Sequence, residues 1–116
     1  MIEDVICGTE KKLAIHIEPT PAFDISKPQH KFEIELFCTG PIIFKVPEED
    51  IKASVDDEHT RIVTFNTKDV GCGRLKCRVI AHIPDGDFSP EGSENLGIRT
   101  EIYDFITKLN IVKGLK

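Results

Sequence analysis

The chain has no tryptophan, one tyrosine and one methionine, and aromatic residues make up only 7% of it. Sugar-binding platforms stack their ligands on exposed aromatic rings, so a carbohydrate-binding role has little to stand on here. Positive charge is also scarce, with 15 lysines and arginines against 20 aspartates and glutamates and a net charge of −5. Neutralising phosphates requires the opposite balance gathered on one face, which argues against nucleic acid as a partner. No stretch approaches the roughly 18 consecutive apolar residues of a membrane helix. Met1-Ile2-Glu3-Asp4-Val5-Ile6 has neither the basic start nor the apolar core of a secretory signal. The expectation is synthesis in a cytosol, no membrane partner, and four reduced cysteines at Cys7, Cys38, Cys72 and Cys77.

The motifs that carry chemistry are missing too. Neither Gly-x-Ser-x-Gly nor His-Glu-x-x-His occurs. Gly71-x-Gly73 precedes a strand, whereas a phosphate-binding loop follows a strand and opens a helix, so a hairpin or bulge is expected there. Asp85-Gly86-Asp87-Phe88-Ser89-Pro90-Glu91 has alternating carboxylates, but the EF-hand pattern fails with Pro90 at its sixth position and Leu96 at its twelfth. Zinc needs converging Cys or His pairs two to four residues apart. Cys72 and Cys77 are five apart and His16, His30, His59 and His82 stand singly. The carboxylates Glu33 and Glu35 belong on a solvated strand face and Glu48-Glu49-Asp50 in a turn, where nothing would tune one of them into a general acid. No enzyme, metal or cofactor is expected.

What the chain does have is a period of two. At 116 residues and 40% hydrophobic it is long enough for one domain with a core of its own. Leu13, Ile15 and Ile17 alternate with polar neighbours, as do Phe32, Ile34 and Leu36. Ile42 to Val46 reads as a short strand between Pro41 and Pro47. Ile51 to Val55 and Thr60 to Asn66 flank a polar turn and read as a hairpin. The longest strand runs from Arg74 to Ile83, with Leu75, Cys77, Val79, Ala81 and Ile83 on one face, and Gly97 to Phe105 closes the set. The fold class is therefore all-β, an antiparallel β-sandwich of about seven strands.

Arg74, Lys76 and Arg78 share the wet face of that longest strand. Either cross-strand carboxylates such as Glu33, Glu35 or Glu101 neutralise them, or they form an intermolecular surface. The end of the chain is unusual in another way. Ile106, Leu109, Ile111, Val112 and Leu115 place five large aliphatics within ten residues, too many to leave in water. They would dock on their own sheet or on a neighbouring subunit, and the expectation is an assembly arm. The chain then divides into an N-terminal arm (1–11), a sandwich (12–105) and a C-terminal arm (106–116).

Several of these features recur together. Phe32-Glu33-Ile34-Glu35-Leu36-Phe37 is followed by Gly71-Cys72-Gly73-Arg74-Leu75 opening the long strand. That strand ends in Ile83-Pro84-Asp85-Gly86-Asp87-Phe88, and Gly92 and a closing strand around Ile98 and Ile102 come after it. In this order the features resemble a small immunoglobulin-like module of virion structural and fibre proteins of Bacteroides phages and prophages, including the crAss-like group. The resemblance covers about two-thirds of the chain. Such modules commonly continue into repetitive or lectin-like regions, whereas this sequence stops at Lys116.

The resemblance implies an immunoglobulin-like sandwich in a small, non-enzymatic virion component, such as a capsid-decorating or auxiliary capsid protein, a head-fibre base or a tail adaptor. Its partners would be other virion proteins, capsid or fibre subunits, and further copies of itself, with no small-molecule ligand. It would reside in the host cytoplasm during assembly and then in the virion. The candidate assembly surface comprises Arg74, Lys76 and Arg78, the loop residues Asp85, Asp87 and Phe88, and the tail residues Ile106, Leu109, Ile111, Val112 and Leu115. The alternative is a free-standing ligand- or carbohydrate-binding sandwich module of a gut bacterium, for which Tyr103 is the ring to test.

Overall fold

Side-chain alternation decides where the strands fall, because each half-buried strand must turn every second residue inward. The structure is a computed structural model that describes residues 2–21, 23–27, 30–85 and 97–113. Its strands are β1 (Glu3–Ile6), β2 (Glu10–His16), β3 (Lys31–Phe37), β4 (Ile43–Lys45), β5 (Ile51–Ala53), β6 (Thr60–Asn66), β7 (Gly73–Asp85) and β8 (Gly97–Val112). They form a five-stranded sheet in the order β1-β8-β7-β3-β4 and a three-stranded sheet in the order β2-β6-β5. The two sheets enclose one core, so the all-β sandwich stands. The expected register of β7 also holds: Leu75, Cys77, Val79, Ala81 and Ile83 are all buried, and Arg74, Lys76 and Arg78 are not.

Two departures come from pairings that alternation cannot foresee. The segment 1–11 is not a separate arm, since β1 lies within it as an edge strand and β2 begins at Glu10. β1 runs parallel to β8, with Val5 opposite Ile111, so the larger sheet is mixed rather than wholly antiparallel. The reason is that β1 and β2 are not hairpin partners: the chain crosses from one sheet to the other at Cys7–Thr9. That crossing is gathered on the buried side chain of Thr67. Its Oγ1 accepts from the main-chain N–H groups of Gly8 and Thr9, both at 2.9 Å, and donates to the Ile6 carbonyl at 3.2 Å.

The second departure is the tail. β8 does not stop near Phe105 but continues to Val112, and Leu109 and Ile111 are buried in the core. A bulge makes this possible. Lys76 pairs with Ile106 and Arg74 with Asn110, so β8 spends two more residues than β7 over this stretch. An even insertion keeps the odd residues of β8 pointing inward. The displaced ladder groups find side chains instead: Thr107 Oγ1 donates to the Leu75 carbonyl at 2.8 Å and accepts from Leu109 N–H at 3.1 Å. Residues 106–112 are therefore the end of a core strand, not an assembly arm.

One end of the sandwich is closed by the irregular segment after β2. Phe23 is fully buried between His30 and Tyr103, each ring centroid 5.8 Å away, and Ile25 is buried beside it. Arg61 Nη2 donates to the Ile25 carbonyl at 2.9 Å and ties this plug to β6. At the start of β7, Gly71 and Gly73 have φ of 82° and 115°, which L side chains rarely adopt. A Cβ on Gly73 would also lie 2.8 Å from Thr39 Oγ1. The pair serves the turn into β7.

None of the four cysteines forms a disulfide in this structure. Burial pushes the Cys77 thiol up to about 12 and raises Cys38 as well, whereas Cys72 is exposed and Cys7 half-buried. The thiolate is the nucleophile, so alkylation of the folded protein should proceed at Cys72 first and Cys7 next, with Cys38 and Cys77 reacting only on unfolding. Mass spectrometry of a labelling time course checks this order, and early label on Cys77 would contradict the burial described here.

Candidate assembly surface

The outer face of the five-stranded sheet carries the residues that cannot enter the core. From β3 come Glu33, Glu35 and Phe37, from β7 Arg74, Lys76 and Arg78, and from β8 Ile102, Asp104 and Ile106. The expected cationic stripe is there, and the structure assigns its three members different tasks. Arg78 Nε donates to Asp104 Oδ1 at 2.8 Å, and its guanidinium lies 5.1 Å from the centroid of the Phe37 ring. The Asp104 carboxylate raises the Arg78 pKa further, with Glu35 adding to it. Arg74 turns its Nε onto the Thr107 carbonyl, where it caps the bulge. Lys76 has no ion pair or hydrogen bond among the described residues.

The neutralising carboxylate is thus Asp104 on β8. Glu33 is engaged instead by Lys45 at 2.8 Å and more loosely by His82 at 3.8 Å. The Lys45 ammonium holds the Glu33 carboxyl below the usual range. Glu101 shares the inward parity of β8 and accepts from Tyr103 Oη at 2.7 Å. Asp104 went unnoticed in the sequence because cross-strand opposition depends on register. The signal was its outward parity in β8.

Apolar side chains surround the lone ammonium. Lys76 lies between Phe37 on β3 and Ile106 on β8. Ile106 is 70% exposed, and Ile43 and Ile102 on the same sheet face are more than half exposed. Phe37, Lys76, Arg78, Asp104, Phe105 and Ile106 line a shallow depression of about 370 Å³. Contiguous exposed aliphatics rimmed by charge mark surfaces that meet another macromolecule more often than free surface.

The remaining expected site residues scatter. Leu109 and Ile111 are in the core, and Val112 is half-buried opposite Ile6 at the sheet edge. Asp85 ends β7 and pairs with Gly97. Asp87, Phe88 and Leu115 lie outside the described residues. Of the expected residues, Arg74, Lys76, Arg78 and Ile106 lie on one face, together with the unforeseen Phe37, Asp104, Ile43 and Ile102.

Tyr103, the ring best suited to a sugar platform, faces inward and stacks on Phe23. No helix among the described residues is long and apolar enough to cross a membrane, and no group of three or more His, Cys, Asp or Glu side chains among them is placed to hold a metal ion. No protein-family model matches this chain, and no curated protein or solved structure shows significant similarity to it.

Proposed function

We propose that this chain is a non-enzymatic structural component of a bacteriophage virion, a capsid-decorating protein, head-fibre base or tail adaptor, that works through protein–protein contact. The observation that carries the assembly role is the outer face of the five-stranded sheet, where Ile106, Ile102 and Ile43 stand exposed on the same face as Lys76, which has no ion pair among the described residues. A monomer acting alone gains nothing from such a face, whereas a subunit buries it on a neighbour. The virion context comes from the resemblance of Phe32–Phe37, Gly71–Leu75 and Ile83–Phe88 to phage modules. On this reading the chain accumulates in the host cytoplasm and leaves it in the particle.

Peptide mapping of purified particles of the phage or prophage that encodes the chain tests the proposal. The chain should be present at a fixed ratio to the major capsid or fibre protein. An Ile106→Glu variant, whose new carboxylate faces Lys76, should fold normally yet be lost from particles, because the position is exposed and lies outside the core. Particles that never contain the wild-type chain would refute the virion role.

A further inference from the structure

Each sheet of an open sandwich ends in strands whose outer main-chain groups lack partners, and proteins guard such edges. Among the described strands three of the four outermost are short: β1 has four residues, β4 three and β5 three, and β4 lies between Pro41 and Pro47; β1 covers only Leu109–Val112, so β8 is also open on that side before Leu109. The fourth, β2, has seven residues and no proline. Its odd residues bond to β6, as the flanking bonds Ile17 N–H to His59 O and Thr67 N–H to Thr9 O fix the phase of the ladder. The N–H and C=O groups of Lys12, Ala14 and His16 therefore point to the open side, without partners among the described residues. Beside this edge a groove of about 370 Å³ opens toward β8, lined on its apolar side by Leu13, Phe105 and Leu109.

We infer that β2 is the contact between two copies of this chain, pairing antiparallel with its own counterpart about a two-fold axis at Leu13. The two three-stranded sheets then join into one continuous sheet of six strands. Three facts select the second copy and the register. Leu13 is the midpoint of β2, so only this register pairs the strand over its whole length. Leu13 faces its own counterpart over the groove, in the close non-hydrogen-bonded type of pair, which covers a side chain that the single chain leaves half-exposed. Charge is compatible with it: Lys12 stands opposite the second copy's Ala14, and Glu10 opposite its His16, which already meets Glu18 and Asp57 of its own chain at 2.8 Å. Sliding the pairing by two residues in one direction would put Lys12 against another Lys12. The remaining edge cation, Lys11, is already neutralised by Glu3 at 2.8 Å.

This deepens the assembly reading and rests on it only in holding that the chain acts by protein–protein contact. Sedimentation of the purified full-length chain should show a dimer, and the amides of Lys12, Ala14 and His16 should exchange about tenfold more slowly in concentrated than in dilute samples. In a Cys72→Ser background, Leu13→Cys should cross-link to its counterpart under mild oxidation. Ala14→Pro removes only an outward N–H, so it should melt cooperatively yet sediment as a monomer. A chain that stays monomeric at every concentration overturns the inference, as does rapid exchange of the three amides in the concentrated wild type. A dimer that survives Ala14→Pro also overturns it, since the copies would then meet elsewhere, for instance on the face around Lys76. A monomer in solution leaves the particle-composition test standing, so the two readings fail separately.

Discussion

A chain ending at Phe105 should not fold. The deletion takes Leu109 and Ile111 out of the core and removes the strand that β1 pairs with among the described residues, so that Val5 loses its place as well. At about 1.5–3 kcal/mol for each buried aliphatic side chain, the three together contribute about 5–9 kcal/mol. That is comparable to the entire stability of a domain this size, about 5–15 kcal/mol. Circular dichroism on heating should show no cooperative transition in the truncated chain. Ile106→Ala in the full-length protein is the contrast: the side chain is 70% exposed, and stability should change by no more than about 0.5 kcal/mol. A truncated chain that melts like the intact one would show the tail to be an appendage after all.

Thr67→Val is the largest single-residue effect expected outside the aliphatic core. Valine matches threonine in size, so the fully buried site is not emptied, yet all three hydrogen bonds of the hydroxyl disappear. Thr9 N–H retains a bond to the Ile6 carbonyl at 3.2 Å, whereas Gly8 N–H has no other acceptor among the described residues. Losing the hydroxyl and stranding that donor should cost about 2–4 kcal/mol. Thr67→Ser should recover most of it. Urea denaturation measures the loss, and amide exchange should place it at β1, which the crossing at Cys7–Thr9 holds against β8. If the valine variant were within about 0.5 kcal/mol of wild type, water would be replacing the hydroxyl and the crossing would not depend on it.

The alternating faces of β3, β6 and β7 were legible because each is a property of a residue and its near neighbours. Parity was legible further than it was followed. Leu109 and Ile111 alternate with Lys108 and Asn110, so the inward face of the β8 extension was written in the tail, although Ile106, Leu109 and Val112 also satisfy a helical spacing. Those two patterns compete in a short apolar stretch, and pairing with β7 and β1 decided between them.

The candidate site divides along the same line. Local alternation alone puts Arg74, Lys76 and Arg78 on one outward face, since burying any of them would cost several kcal/mol. Which of the three remains available depends on Asp104 and Thr107, about thirty residues away in the chain and brought opposite by the register of β8. Phe23 and Ile25 show the limit most plainly: they sit in an aperiodic segment with no strand pattern, yet they close one end of the core. The strand positions and the inward faces follow from the residues themselves, because a strand's two faces are set by a repeat of two that needs no distant partner. The parallel docking of β1, the bulge at Thr107 and the role of Thr67 arise only when strands far apart in sequence meet, because a hydrogen-bond donor has no fixed acceptor until the fold supplies one.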